Sequence, residues 1–193
     1  MSKRIFSFGL SLLLAISCFS SVLAKAPEFS ADMVITDAKG KTNLGKVYIK
    51  GNEKIRQEST ADGETSVIIL RLDKKVSWTL LPDNQYMEVK MPVDPNQPNP
   101  EFEYDTAELG NETVNGYPCK IVQYTYKKKK YGVLKQWVSE KLGYSVKIES
   151  KDAKGKITLI EYKNIKEGKQ PDSLFEIPKG YEKFSLSIKI PGL

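Results

Sequence analysis

Two thiols, Cys18 and Cys119, and no histidine leave this chain almost without the residue types that carry nucleophilic or metal chemistry. A serine or cysteine nucleophile of the usual kind needs an imidazole base, and a reactive cysteine needs a neighbour that stabilises its thiolate. His-ligated zinc is excluded for the same reason. Cys119 sits in Gly116-Tyr117-Pro118-Cys119-Lys120 at the start of an apolar run and reads as a small buried hydrophobe, with Lys120 as its adjacent cation. Glu101, Glu103 and Asp105 alternate beside a proline-rich stretch but lack the spacing and glycine of a calcium loop. Paired-carboxylate hydrolysis would need a defined cleft and separation, and the residues fix neither. No catalytic residue, metal or cofactor is therefore assigned; lysine, tyrosine or carboxylate chemistry stays open as the enzyme alternative. The one local charge cluster, Lys127, Lys128, Lys129 and Lys130, has two readings: a solvated hairpin tip that discourages edge pairing, or a contact for lipid headgroups.

The elements that must position these residues begin with an address. Lys3 and Arg4, the apolar stretch 6–15 and the small residues of Val22-Leu23-Ala24 form a cleavable export signal over residues 1–24, leaving 25–193 as a single domain. The apolar stretch is shorter than the ~20 residues needed to span a bilayer. Ala15-Ile16-Ser17-Cys18 offers a second address, a lipid anchor on Cys18. If Cys18 leaves with the signal, Cys119 has no disulfide partner and stability must come from packing. The formal net charge of +6 is spread along the chain, which reads as a solvated surface with weak attraction to anionic lipid. Nucleic acid is not expected as a partner.

Within the domain the hydrophobic period is two nearly everywhere. Strands are expected at 31–37, 46–50, 54–60, 66–72, 76–80 and 86–91, punctuated by Gly51-Asn52, Asp62-Gly63, Asp73-Lys74-Lys75 and Pro82-Asp83-Asn84. Residues 92–100 hold four prolines and cannot continue a ladder, so an exposed excursion should lead into a short helix or irregular cover at 101–109. Strands resume at 120–127, 132–139, 144–150, 156–163 and 184–190. The fold class is mainly β: a strongly curved antiparallel sheet forming a half-open barrel, with one or two short covering helices.

The order Gly45-Lys-Val-Tyr-Ile-Lys, Lys54-Ile-Arg56, Asp73-Lys-Lys-Val-Ser-Trp78, Pro82 and Tyr86 resembles the front half of the LolA/LolB-like superfamily of periplasmic carriers. Trp137-Val-Ser-Glu-Lys-Leu-Gly143, Glu161-Tyr-Lys-Asn-Ile165 and Asp172-Ser-Leu-Phe-Glu-Ile-Pro-Lys-Gly-Tyr181 look like the back half of an uncharacterised exported branch. The similarity covers most of residues 29–184. It implies a half-open barrel with an apolar concave face, a periplasmic location, and a role in lipid or lipoprotein trafficking without catalysis. Where the carrier has a lid-fastening arginine followed by proline, this chain has Gly51-Asn52, and strand replaces the carrier's N-terminal helix at 31–37.

A half-barrel leaves one apolar sheet face with no second sheet to pack on, so alternate residues meet either a covering segment or an apolar ligand. Trp78, Leu80, Met87, Met91, Trp137, Tyr144, Val146 and Ile148 are the candidates for that face. Each also fits ordinary core packing, and a one-residue slip would exchange the faces. Two partner classes follow: a lipid or acyl chain in the groove, or an envelope protein bound to a filled sheet, with contact to the membrane surface as an accompaniment.

Overall fold

The computed structural model describes residues 27–61, 64–91 and 102–184. The expected export signal, Cys18, the prolines between 92 and 100, and the last expected strand beyond Phe184 lie outside the described residues. Two meanders build the sheet. The first runs through β1 (Glu28–Thr36), β2 (Thr42–Lys50), β3 (Lys54–Ala61), β4 (Glu64–Arg71), β5 (Val76–Leu81) and β6 (Gln85–Lys90). The second runs through β7 (Tyr104–Val114), β8 (Tyr117–Tyr126), β9 (Val133–Ser139), β10 (Tyr144–Lys151) and β11 (Ile157–Glu167). β11 returns to pair antiparallel with β1 and so joins the meanders, while β12 (Glu182–Lys183) adds parallel to β6. The spatial order is β12-β6-β5-β4-β3-β2-β1-β11-β10-β9-β8-β7, a single open sheet whose edges among the described residues are β12 and β7.

Local chemistry sets the register. Asp83 and Asn84 both take positive φ, 60° and 53°, the mirror-image turn that matches strand twist between β5 and β6. Gly45 allows β2 to lie close to β3, since a Cβ there would fall 2.1 Å from the Glu58 carbonyl oxygen. Helix is confined, among the described residues, to short 3-10 turns such as Leu72–Lys74, Lys129–Tyr131 and Asp172–Phe175.

The segment expected as helix or irregular cover at 101–109 is instead mostly β7, an edge strand whose residues are exposed from Asp105 to Thr113. With neither face buried it has no apolar period to betray it. Its ladder to β8 shifts register between Glu108 and Gly110, a bulge of the kind found on sheet edges.

Cross-strand pairing defines two faces. The inner one carries the row Val122, Gln136, Ile148, Ile160, Ile35 and Asn43, and beside it Met33 pairs with Tyr162. Phe29, Val47, Ile49, Ile55 and Leu70 extend this face across β1 to β4, and all five are buried. The sheet curls toward it: Phe29 on β1 meets the ring of Tyr144 on β10 edge-on at 5.6 Å, across the intervening β11. The outer face carries a smaller core of Ile69, Trp78 and Phe175.

Candidate binding face

Five of the eight sequence candidates belong to the inner face. Met87 pairs with Thr79 on β5, and Met91 extends the same alternation into the main core. Ile148 lies in the central row, Val146 alternates with it, and Tyr144 stacks on Tyr162 at 6.4 Å. Burial pushes the Tyr162 hydroxyl up to about 12 and the Tyr144 hydroxyl well above the usual tyrosine range, as an apolar setting demands. The centre of this face is packed with side chains. Toward β6 it opens: Met87 and Val89 are 42% and 46% exposed, with half-buried Ile68 and Thr79 beside them.

Trp78, Leu80 and Trp137 stand on the outer face, because alternation sets Trp78 opposite Ile69 and Trp137 opposite Lys147. Single-face membership of all eight is therefore corrected. Trp78 and Leu80 lie under the segment that follows β11, packed with Leu174, Phe175 and Ile177. Trp137 is covered by lysine stems, with Lys147 Nζ 4.2 Å from its ring centre, and its indole N–H donates to Glu112 at 2.5 Å.

A strap of cations on β2 to β4 holds that covering segment. Lys50 and Lys54 each reach Asp172 at 2.9 Å, and Arg56 donates to the Leu174 carbonyl at 3.2 Å. Arg71, only 5% exposed at its side chain, donates to Asp73 at 2.6 and 2.8 Å, to the Phe175 carbonyl at 3.2 Å, and to Glu176. Hydrogen bonds from Lys50 and Lys54 hold the Asp172 carboxyl at about 2. Asp73 is lowered by Arg71; for Glu176 burial pushes upward but is outweighed by Lys74 and Arg71. The sequence signal for this strap, basic residues alternating on strands that look half-buried, is indistinguishable from a solvated face.

The lysine run caps the β8–β9 hairpin. Lys127 pairs with Asp105 at 2.6 Å, Lys129–Tyr131 form a 3-10 turn, and Lys130 lies 4.7 Å from the Tyr131 ring centre. Sequence reading did not anticipate what lies beneath: Phe102, Tyr104, Tyr124, Tyr126 and Tyr131 form a chain of ring contacts 5.1 to 5.9 Å apart. Gly132 is required there, since its φ is +69° and a Cβ would fall 1.9 Å from the Lys151 carbonyl oxygen.

Chemistry for catalysis is thin. Burial raises the Cys119 thiol above its ordinary value, which disfavours the thiolate, and its Sγ–H donates to the Tyr117 carbonyl at 3.2 Å. Among the described residues no group of three carboxylates or thiols could hold a metal ion. Two hollows of about 390 and 350 Å³ are rimmed by polar side chains such as Glu112 and Lys120, or Asp32 and Lys46. Among the described residues the buried side-chain atoms without a hydrogen-bond partner are the amide of Gln136, in the inner row, and the hydroxyl of Ser145.

The family model of a domain of unknown function, DUF4412, matches residues 30–144. The chain belongs to the DUF4412 family. That match runs from Ser30 in β1 to Tyr144, the first residue of β10, so β11 and the covering segment that follows it lie beyond the match. No curated protein matches the chain. An uncharacterized conserved protein from Thermus thermophilus is similar over 82% of this chain and 90% of its own, at 14% identity and a TM-score of 0.59. The MucA/MucB complex of Pseudomonas aeruginosa matches at 15% identity and a TM-score of 0.50, covering 76% of this chain and 54% of that one, about half its length. A LolA superfamily protein from Nitrosomonas europaea matches at 16% identity and a TM-score of 0.43, covering 78% and 90%. The likeness to the first two is one of fold.

Proposed function

We propose that this DUF4412 protein is an exported, non-catalytic binding protein that holds a lipid or acylated ligand against the inner face of its open sheet. The observation that carries the reading is the exposed flank of that face: Met87 and Val89 continue an apolar surface running from β1 to β6, and no second sheet covers it among the described residues. Each ligand methylene buried there contributes about 0.8 kcal/mol. The aromatic cluster and the lysine run at the β8–β9 tip suit contact with lipid headgroups, since tyrosine and lysine both place an apolar body against acyl chains and a polar end in water. A role in lipid or lipoprotein trafficking in the periplasm follows from this reading together with the export signal.

A second reading is favoured by the packed centre of the inner face and by β7. Nine consecutive exposed residues lie on a strand whose outer side pairs with no other among the described residues, an edge suited to an extended segment of an envelope protein. The matched MucB is itself described in complex with MucA. Native mass spectrometry of protein purified without detergent, followed by lipid extraction and denaturing analysis, separates the two. A stoichiometric lipid supports the first reading. Lipid-free protein whose stability is unchanged by added long-chain lipids removes it and leaves the protein partner.

A further inference from the structure

The edge formed by β12 carries a ladder that covers only the start of β6. Glu182 and Lys183 pair parallel to Gln85 and Tyr86, with the Glu182 N–H donating to the Asn84 carbonyl and the Phe184 N–H to the Tyr86 carbonyl, both at 2.8 Å. Since the Tyr86 carbonyl points to this edge, alternation points those of Glu88 and Lys90 the same way, and the described ladder stops short of them. The faces are fixed as well. Lys183 reaches Glu88 at 2.7 Å, and Glu88 accepts the Trp78 indole N–H at 3.0 Å, so Lys183 stands on the outer face and Phe184 on the inner. Phe184, 40% exposed, thereby extends the inner row of Ile68, Thr79 and Met87. Beyond it the sequence alternates Leu186, Ile188 and Ile190 against Ser185, Ser187 and Lys189. Carried on in the register of β12, Leu186 falls beside Val89 and Ile188 beside Met91, while Ser185 and Ser187 fall beside Glu88 and Lys90. Apolar positions therefore meet apolar positions one for one, and a slip of one residue would set serines over the exposed Val89. Pro92 has no N–H to give the Ile188 carbonyl, which sets the end of the pairing.

We propose that residues 185–188, which lie outside the described residues, extend β12 along β6 and cover the exposed flank of the inner face, so that the chain itself supplies the first occupant of that flank. Backbone bonds alternate along the pair: the Leu186 and Ile188 N–H groups donate to the Glu88 and Lys90 carbonyls, and the Glu88 and Lys90 N–H groups donate to the Phe184 and Leu186 carbonyls. Leu186 shields Val89, and the edge of β6 no longer offers a template to other chains. A lipid lying on Met87 and Val89 competes with this segment. That second step rests on the inner face being the ligand site, whereas the pairing does not.

Amide hydrogen exchange followed by NMR on the full mature protein reads the pairing. The amides of Leu186, Ile188, Glu88 and Lys90 should exchange at least about tenfold more slowly than those of Ser185 and Ser187. Leu186→Asp should remove the protection at Glu88 and Lys90; a chain ending at Phe184 repeats the comparison should that variant not fold. Uniformly fast exchange through 185–188 overturns the pairing, as does protection at Glu88 and Lys90 that survives the substitution. Protection that fades on dilution overturns it too, by assigning the edge to a second copy. Competition is read by native mass spectrometry with monolauroylglycerol as the probe. Leu186→Asp should bind it about tenfold more tightly than wild type, the factor lost by a ligand whose site is open in about a tenth of the molecules. Equal binding by both overturns the competition and leaves the inner-face site standing. Binding by neither overturns the competition and the inner-face reading together, and the exchange pattern alone then decides the pairing.

Discussion

Single side chains with many partners carry the clearest consequences. Arg71 joins Asp73, the Phe175 carbonyl and Glu176 from a nearly buried position, so Arg71→Leu strands the Asp73 carboxylate and a carbonyl and leaves Glu176 to Lys74 alone. The expected loss is about 1–3 kcal/mol in urea unfolding, the range for a charged hydrogen-bonding group removed from half-exposed partners. Phe175→Ala should cost about 3–5 kcal/mol by opening a cavity over Ile69 and Trp78, and Trp78 emission should shift to the red. The two effects should fall short of additive in the double variant, because both release the same segment. Gly132→Ala should cost more than about 2 kcal/mol, its left-handed backbone and its approach to Lys151 acting together.

At the scale of elements, the strap is an acid-sensitive clasp. The folded pKa of Asp172 is depressed to about 2, and those of Asp73 and Glu176 are also lowered, so these groups stabilise the folded state fully above the unfolded carboxylate range near ~4. That contribution disappears as pH falls through the folded values. Trp78 fluorescence should therefore report release of the strap between about pH 4 and 2; an emission spectrum constant across that window would refute it. The β8–β9 tip calls for a different measurement. Replacing Lys128, Lys129 and Lys130 by Gln should weaken partition onto anionic vesicles by on the order of 10²-fold, at about 1 kcal/mol per lysine, and leave neutral vesicles unaffected. Equal partition would sink the headgroup contact. Elements with one buried face, such as Lys46-Val47-Tyr48-Ile49-Lys50, were legible from alternation alone, as was the turn at Asp83 and Asn84. β7 was not, because alternation records burial and β7 has almost none. The face of Trp78 was hidden for a different reason: on β5 the apolar set Val76, Trp78 and Leu80 faces outward under Phe175, while Ser77 and Thr79 face the inner core, so reading apolar as inside points the wrong way. Gln136 was invisible because a polar residue in a strand reads as outward until pairing shows otherwise.

For the whole molecule, the sheet is two local meanders held by one long-range ladder, β1 to β11, with β12 on β6 as a minor second tie. Both ties are made by the second half of the chain reaching back to the first. A cut between Met91 and Phe102 should therefore leave the two fragments associated, and they should co-elute in gel filtration; separation without denaturant would overturn this. The same arrangement governs birth from the ribosome. β1 emerges first and pairs at once with β2, but its other edge waits for a partner that is among the last strands to be made. Throughout that interval the nascent protein carries an open template for pairing with any neighbouring chain. A protein built this way depends on being kept apart from its own copies until synthesis is nearly finished.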